Sequence, residues 1–195
     1  APSSTVGATQ FPTAYSVYLA SGSGTVGVST SIQLPTSSGA LQLLDVMVLA
    51  DFSNVPATST KQQSIISSWS NLASTFASNN IDATIGFAQY TPSGAAPYYT
   101  VTSSYTLSAN PPALTTNNFP TTTNTACPAS GRLKLLAAMK DVMYNNAINW
   151  RGVSAFKILW VFSLCPIDLT TDIYSAGAAT GIVPVMVYPA SASYP

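Results

Sequence analysis

The chain has 195 residues, six basic and six acidic side chains, no histidine, and only 6% charged residues, against about 25% in a typical soluble domain. That length fits one domain of ordinary size plus an appendage and is short for two. A zero net charge without a basic stripe argues against binding nucleic acid through its phosphates, and no apolar run approaches the length that spans a bilayer.

Ser and Thr make up roughly a quarter of the residues, so hydroxyls supply the polar surface that charges normally provide. Such a surface has little electrostatic repulsion, and net charge near zero favours association. Ser/Thr/Pro-rich stretches are also substrates for O-glycosylation. The Ala-Pro-Ser-Ser start without an initiator Met is what a mature chain after signal-peptide removal would show. These features predict a secreted, extracellular protein.

In chain order, residues 1–40 hold no charge and read as a β extension. Tyr15, Val17 and Leu19 alternate with polar or aromatic neighbours, and Val26, Val28, Ile32 and Leu34 mark a second alternating run. Turn residues Ser21 to Gly24 lie between them. These apolar positions are the expected assembly strand, able to add to the open edge of a neighbouring subunit. Residues 41–189 read as an α/β domain. Leu43 to Asp51 is a nearly continuous apolar strand of the kind buried on both faces of a parallel sheet. A helix is predicted over Lys61 to Ala77, with Thr60 as N-cap and Ile65, Trp69, Leu72 and Phe76 on one stripe. Ala83 to Ala88 is a second buried strand, and Tyr98 to Leu107 a strand near an edge. Ser108 to Ala129 is a long loop rich in Pro, Thr and Asn. It includes the candidate O-glycosylation sites Thr115, Thr116, Thr121, Thr122, Thr123 and Thr125, and loops of that length are usually functional.

A second helix is predicted over Gly131 to Asn149, with Leu135, Leu136, Met139, Val142, Met143 and Ala147 as its apolar face. Phe156 to Ser163 and Ile182 to Tyr188 complete the strands, and Pro184 assigns the last one to an edge or a bulge. Residues 190–195 form a tail. This order implies a doubly wound, mostly parallel sheet with right-handed crossovers and ligands at the carboxyl ends of the strands, where Asp51, Ser53 and Cys165 fall. Cys127 and Cys165 pair in a disulfide in an oxidising compartment, or stay as two buried thiols.

The segment Val46-Met47-Val48-Leu49-Ala50-Asp51-Phe52-Ser53 resembles the first strand of von Willebrand factor A domains, most of all the integrin β-subunit I-like domain. Ile85-Gly86-Phe87-Ala88 resembles that family's Ile-Gly-Phe-Gly strand. Ile148-Asn149-Trp150-Arg151 resembles its Ile-Gly-Trp-Arg step, and Ile158 to Ser163 its Leu-Val-Phe-Ser strand. The resemblance implies a metal motif Asp-x-Ser-x-Ser. Here Asp51 and Ser53 match, but Val55 replaces the second Ser and Cys165 stands where a later Asp is expected. A hard divalent cation needs several oxygen ligands with charge to repay its dehydration. Asp51 and Ser53 are therefore a degenerate pair, and neither metal nor cofactor is expected.

With neither His nor Glu, Ser-His-Asp and Cys-His nucleophiles are impossible, and no phosphate-binding loop is present. Asp168 and Asp172 lie four apart, a spacing open to a carboxylate pair, but read better as solvated loop or helix-start residues. Trp69, Trp150 and Trp160 read as core. The function expected is that of a non-catalytic structural subunit of an extracellular filament or matrix, whose partners are copies of itself. The alternative is a monomeric adhesion domain that binds a glycan or surface receptor.

Overall fold

The computed structural model of the chain describes residues 16–20, 42–51, 60–93, 95–119, 129–163 and 167–190. They form an α/β fold around one six-stranded sheet. The strands are β1 (Ser16–Ala20), β2 (Gln42–Asp51), β3 (Ile81–Tyr90), β4 (Tyr99–Thr100), β5 (Phe156–Ser163) and β6 (Ile182–Ala190), in the spatial order β1-β6-β5-β2-β3-β4. All pairings are parallel except that of β3 with β4. Three helices connect them: α1 (Thr60–Ser78), α2 (Ala129–Tyr144) and α3 (Thr171–Thr180).

The central strand β2 is buried on both sides, as its apolar run requires. Leu44, Val46, Val48 and Ala50 face the α1 layer with Trp69, Ile85, Phe87 and Ile158. Met47 and Leu49 face the α2 and α3 layer with Leu135, Met139, Leu159, Ile173 and Met186. The connection from β2 to β3 runs one way across the sheet, and those from β3 to β5 and from β5 to β6 run the other way. A constant crossover hand puts opposite directions on opposite faces, which is why α1 stands apart from α2 and α3.

Several expectations are corrected. The predicted strand over 98–107 shrinks to Tyr99–Thr100, then a 3-10 turn at Ser103–Tyr105 and a bridge from Ser108 to Ile85. The cause is a close crossing: a Cβ on Gly86 would lie 2.9 Å from the Tyr105 carbonyl oxygen and 3.2 Å from the Leu107 nitrogen. The second helix ends at Tyr144 rather than Asn149. The Asn145 side chain accepts from Ala147 N and caps a separate 3-10 turn, and Asn149 closes that turn at φ 65°. Ala147 is consequently exposed and leaves the apolar face.

Within the predicted loop over Ser108 to Ala129, the described residues 108–119 pack onto the sheet, with Leu114 and Phe119 buried in the α1 layer. Trp69 Nε1 also donates to the Pro112 carbonyl at 2.9 Å. Helix α3 was not anticipated from the sequence. It begins after Thr170, carries Asp172 in its first turn, and ends on Gly181 at φ 69°. Pro184 lies in a strand that is internal over part of its length. It pairs with Leu159 of β5, while β1 meets β6 only from Met186 onward. The proline thus sits where its strand has one neighbour, and no hydrogen bond to β1 is lost there.

Candidate functional site

The closed face of the sheet, under α2 and α3, has a buried carboxylate at each end of β2. At the amino end, Asp45 has no exposed surface. It accepts from Arg151 Nε, from the Arg151 backbone N at 2.7 Å and from Thr84 Oγ1 at 2.7 Å. Arg151 also donates to the carbonyls of Leu44 and Asp82 at 2.7 and 2.8 Å, and pairs with Asp82 at 3.1 Å. One guanidinium therefore joins β2, β3 and the approach to β5. The Ile148 to Arg151 step was noticed in the sequence, but its partner Asp45 was not. The legible signal was a lone Asp inside an otherwise apolar strand.

At the carboxyl end, Asp51 is the last residue of β2 and pairs in register with Ser163, the last of β5. The Ser163 hydroxyl donates to Asp51 Oδ2 at 2.8 Å, and both side chains are buried. The sheet's connections reverse direction between β2 and β5, and the carboxyl ends of strands at such a point form the usual ligand crevice of an open α/β sheet.

Around this crevice, Tyr90 of β3 donates its hydroxyl to the Gly131 carbonyl at 2.7 Å. Burial, with the nearby negative charge of Asp51 and the Tyr98 hydroxyl adding to it, raises the Tyr90 phenol well above its ordinary range. Lys134 donates to the Pro92 carbonyl at 2.8 Å and lies 5.2 Å from the centre of the Tyr98 ring. Tyr99 is likewise raised, first by burial and also by Asp141. The hydrogen bond it accepts from the Asn145 amide at 2.8 Å opposes the shift.

Asp51, Ser163 and Tyr90 are all buried, so the described part of this end is a closed cluster of a carboxylate, a hydroxyl and a phenol. Among the described residues no group of three or more His, Cys, Asp or Glu side chains comes together. At this end of the sheet, Asp51 contributes a carboxylate and Ser163 a hydroxyl among the described residues. Ser53 and Cys165 lie outside the described residues, as does Cys127.

Of the expected assembly positions, Val17 and Leu19 lie in β1, in register with Val187 and Pro189 of the same chain. Tyr15, Val26, Val28, Ile32 and Leu34 lie outside the described residues. Thr115 and Thr116 are exposed at a 3-10 turn, with the Thr115 hydroxyl donating to Asn118 Oδ1 at 3.2 Å. Thr121, Thr122, Thr123 and Thr125 lie outside the described residues. Asp168 and Asp172 are both exposed. Trp69 is buried, while Trp150 and Trp160 are half-buried.

No described helix is long and apolar enough to cross a membrane. No protein-family model matches the chain, and no curated protein matches its sequence.

Proposed function

We propose that the chain is a secreted, non-catalytic structural subunit of an extracellular filament or matrix, assembling through sheet-edge contacts between copies. The observation behind this reading is the position of β1. It is the outermost strand, parallel to β6 over Ser16 to Ala20, and residues 21–41 separate it from β2. A strand placed so far from its sequence neighbour can leave its own sheet and add to β6 of a second copy in the same register. The hydrogen bonds exchanged are the same, so the exchange costs little. Passed head to tail, it does not close, and an open chain of subunits results. The nearly chargeless, hydroxyl-rich surface opposes association only weakly.

Deleting residues 1–38 tests the reading. Electron microscopy and light scattering should show that filaments or large particles made by the full chain are lost, leaving monomer or amorphous precipitate. Normal polymerisation of the shortened chain would refute strand exchange.

A second reading is a monomeric adhesion domain of the von Willebrand factor A type. Two observations favour it. Asp51 stands at the end of the central strand in the crevice beside Ser163. Asn149 takes a left-handed conformation where the family's step has Gly. A discrete monomer at high concentration that binds a glycan or receptor would favour this reading over the first. Stoichiometric Mn²⁺ binding lost in Asp51→Ala would overturn the view of the crevice as a degenerate cation site.

A further inference from the structure

The outer surfaces of the helices differ in kind. On α1 the exposed described side chains, Gln63, Ser67, Asn71 and Thr75 among them, are small or polar, with no charge and no large apolar group. The outer surface of α2 and α3 is composed differently. Leu133 is 68% exposed, Tyr144 52% and Tyr174 37%, three of the four large apolar side chains that are exposed among the described residues. The charges gather on the same layer. Arg132, Lys140, Asp141, Asp168 and Asp172 are all exposed, on α2, in α3 or just before it, and none of them belongs to an ion pair among the described residues. The remaining exposed charge that is described, Asp82, is held by Arg151. The whole chain has only six basic and six acidic side chains, so their gathering on one layer sets that layer apart. Exposed Leu, Tyr and Arg together are the make-up of a contact patch, where aromatic residues and Arg are enriched.

The placement of these groups names the occupant. Along α2, Leu133, Ala137, Lys140 and Tyr144 recur at helical spacing and form one outward stripe, and Tyr174 and Ala178 do the same on α3. The two helices pack on each other and run in the same direction. Helix α2 begins where Gly131 meets Tyr90 at the carboxyl end of β3, and α3 begins after the carboxyl end of β5. Arg132 and Leu133, early in α2, therefore stand at the same end of the layer as Asp168, Asp172 and Tyr174 at the head of α3.

A two-fold axis running along the helices, between α2 and α3, sets α2 of one copy against α3 of another with their starts at the same end. That operation brings Arg132 of each copy to Asp168 and Asp172 of the other, and Leu133 to Tyr174, twice over. The layer is thus complementary to itself in charge, and the partner that fits it is a second copy.

We propose that the outer surface of α2 and α3 is an isologous interface between two copies of this chain, with Leu133 and Tyr174 packed across it and Arg132 facing Asp168 and Asp172. Opposite charges fix its register and steer the encounter. This contact is separate from strand exchange at β1 and does not rest on it.

Placing p-benzoylphenylalanine at Tyr174 and irradiating the full chain, as an equal mixture of light and isotopically heavy copies, tests it. The expected product joins position 174 of a light copy to α2 of a heavy copy, and the converse. Crosslinks confined to single copies, or crosslinks between copies into other segments, overturn the proposal. Neither result bears on strand exchange, which is decided by whether filaments are lost on deletion of residues 1–38.

Charge reversal gives a second readout on the same crosslink. Arg132→Asp should lower its yield between copies about tenfold, a change equivalent to ~1.4 kcal/mol, and Asp168→Lys/Asp172→Lys should do the same. All three side chains are exposed, so the variants keep the fold. Combining the three substitutions in one chain re-forms the pairs with their signs exchanged and should restore the yield. An unchanged yield in the one-sided variants, or a loss that the combined chain does not restore, overturns the proposal.

Discussion

On the face under α2 and α3, Leu159, Val161 and Met186 have no exposed surface, whereas on the α1 face Trp160, Phe162 and Val183 stay half-buried beside the buried Ile158, Val185 and Val187. The described buried polar side chains also divide unequally. Asp45, Asp51 and Ser163 belong by strand alternation to the α2 and α3 face, at its two ends. That face is a dry hydrocarbon layer bracketed by paired carboxylates. The other is aromatic and carries the unpaired Trp160 indole. The difference teaches that one sheet can fix its register through polar ends on one side while packing aromatic rings on the other.

The largest effect expected is at the amino-end bracket. Arg151→Met leaves the buried Asp45 with the Thr84 hydroxyl as its remaining side-chain donor, and breaking a buried pair in this way costs about 3–5 kcal/mol. Urea unfolding should show that loss, and Asp45→Asn in the Arg151→Met background should recover part of it. A cost below about 1 kcal/mol, the range of a surface pair, would mean that the closed face does not depend on its polar ends.

The faces can then be compared directly. Leu159→Ala removes a fully buried side chain and should cost about 2–5 kcal/mol. Phe162→Ala, half-buried on the opposite face, should cost about 1–2 kcal/mol, roughly half the loss of a buried Phe. Equal losses in urea unfolding would erase the distinction between the two sides.

Much of the closed face was legible in the sequence. The apolar runs Val46 to Ala50 of β2 and Ile158 to Phe162 of β5 read as buried strands, and Leu135, Met139 and Val142 mark the covering stripe of α2. Its polar ends were half legible. Asp51 stood out because it ends a strand, but nothing local tells that Asp45 meets Arg151 more than a hundred residues away. Helix α3 escaped because its buried face has one large residue, Ile173, beside Ala176 and Gly177; the two small ones give a weak periodic signal although the bare Gly177 lets the helix approach β6. Tyr98 to Leu107 looked like a strand because alternation records local preference, while the crossing over Gly86 is decided by the neighbouring strand.

That close approach supplies a smaller test. A Cβ on Gly177 would stand 2.7 Å from the Ile182 carbonyl oxygen, which is backbone and cannot swing aside. Gly177→Ala gains up to about 1 kcal/mol of helix propensity yet should still lose a net ~1–2 kcal/mol to overpacking. Gly152→Ala, with open space around its added methyl, is the matched control and should change thermal unfolding little. A stabilised Gly177→Ala would show that α3 is loosely seated, and that the closed face owes its dryness to α2 alone.

The smallest effect concerns alkaline pH at the carboxyl-end bracket. Tyr90 has a folded-state pKa raised well above the ordinary tyrosine value of about 10, first by burial and then by the charge of Asp51. The folded chain therefore holds this proton more tightly than the unfolded one. Its contribution is fully present below pH 10 and is lost as pH rises above it, because the unfolded state gains by ionising. Tyr99 is raised in the same direction and acts with it. Tyr90→Phe removes the hydrogen bond to the Gly131 carbonyl, at a cost of about 1 kcal/mol near neutral pH. In return, the fall in stability above pH 10 should become shallower, because one fewer buried phenol must ionise. Urea midpoints measured from pH 8 to 11 would check both halves. Identical slopes for the wild-type chain and Tyr90→Phe would mean that alkaline loosening begins elsewhere, and Tyr99, raised in the same direction, would be the next place to look.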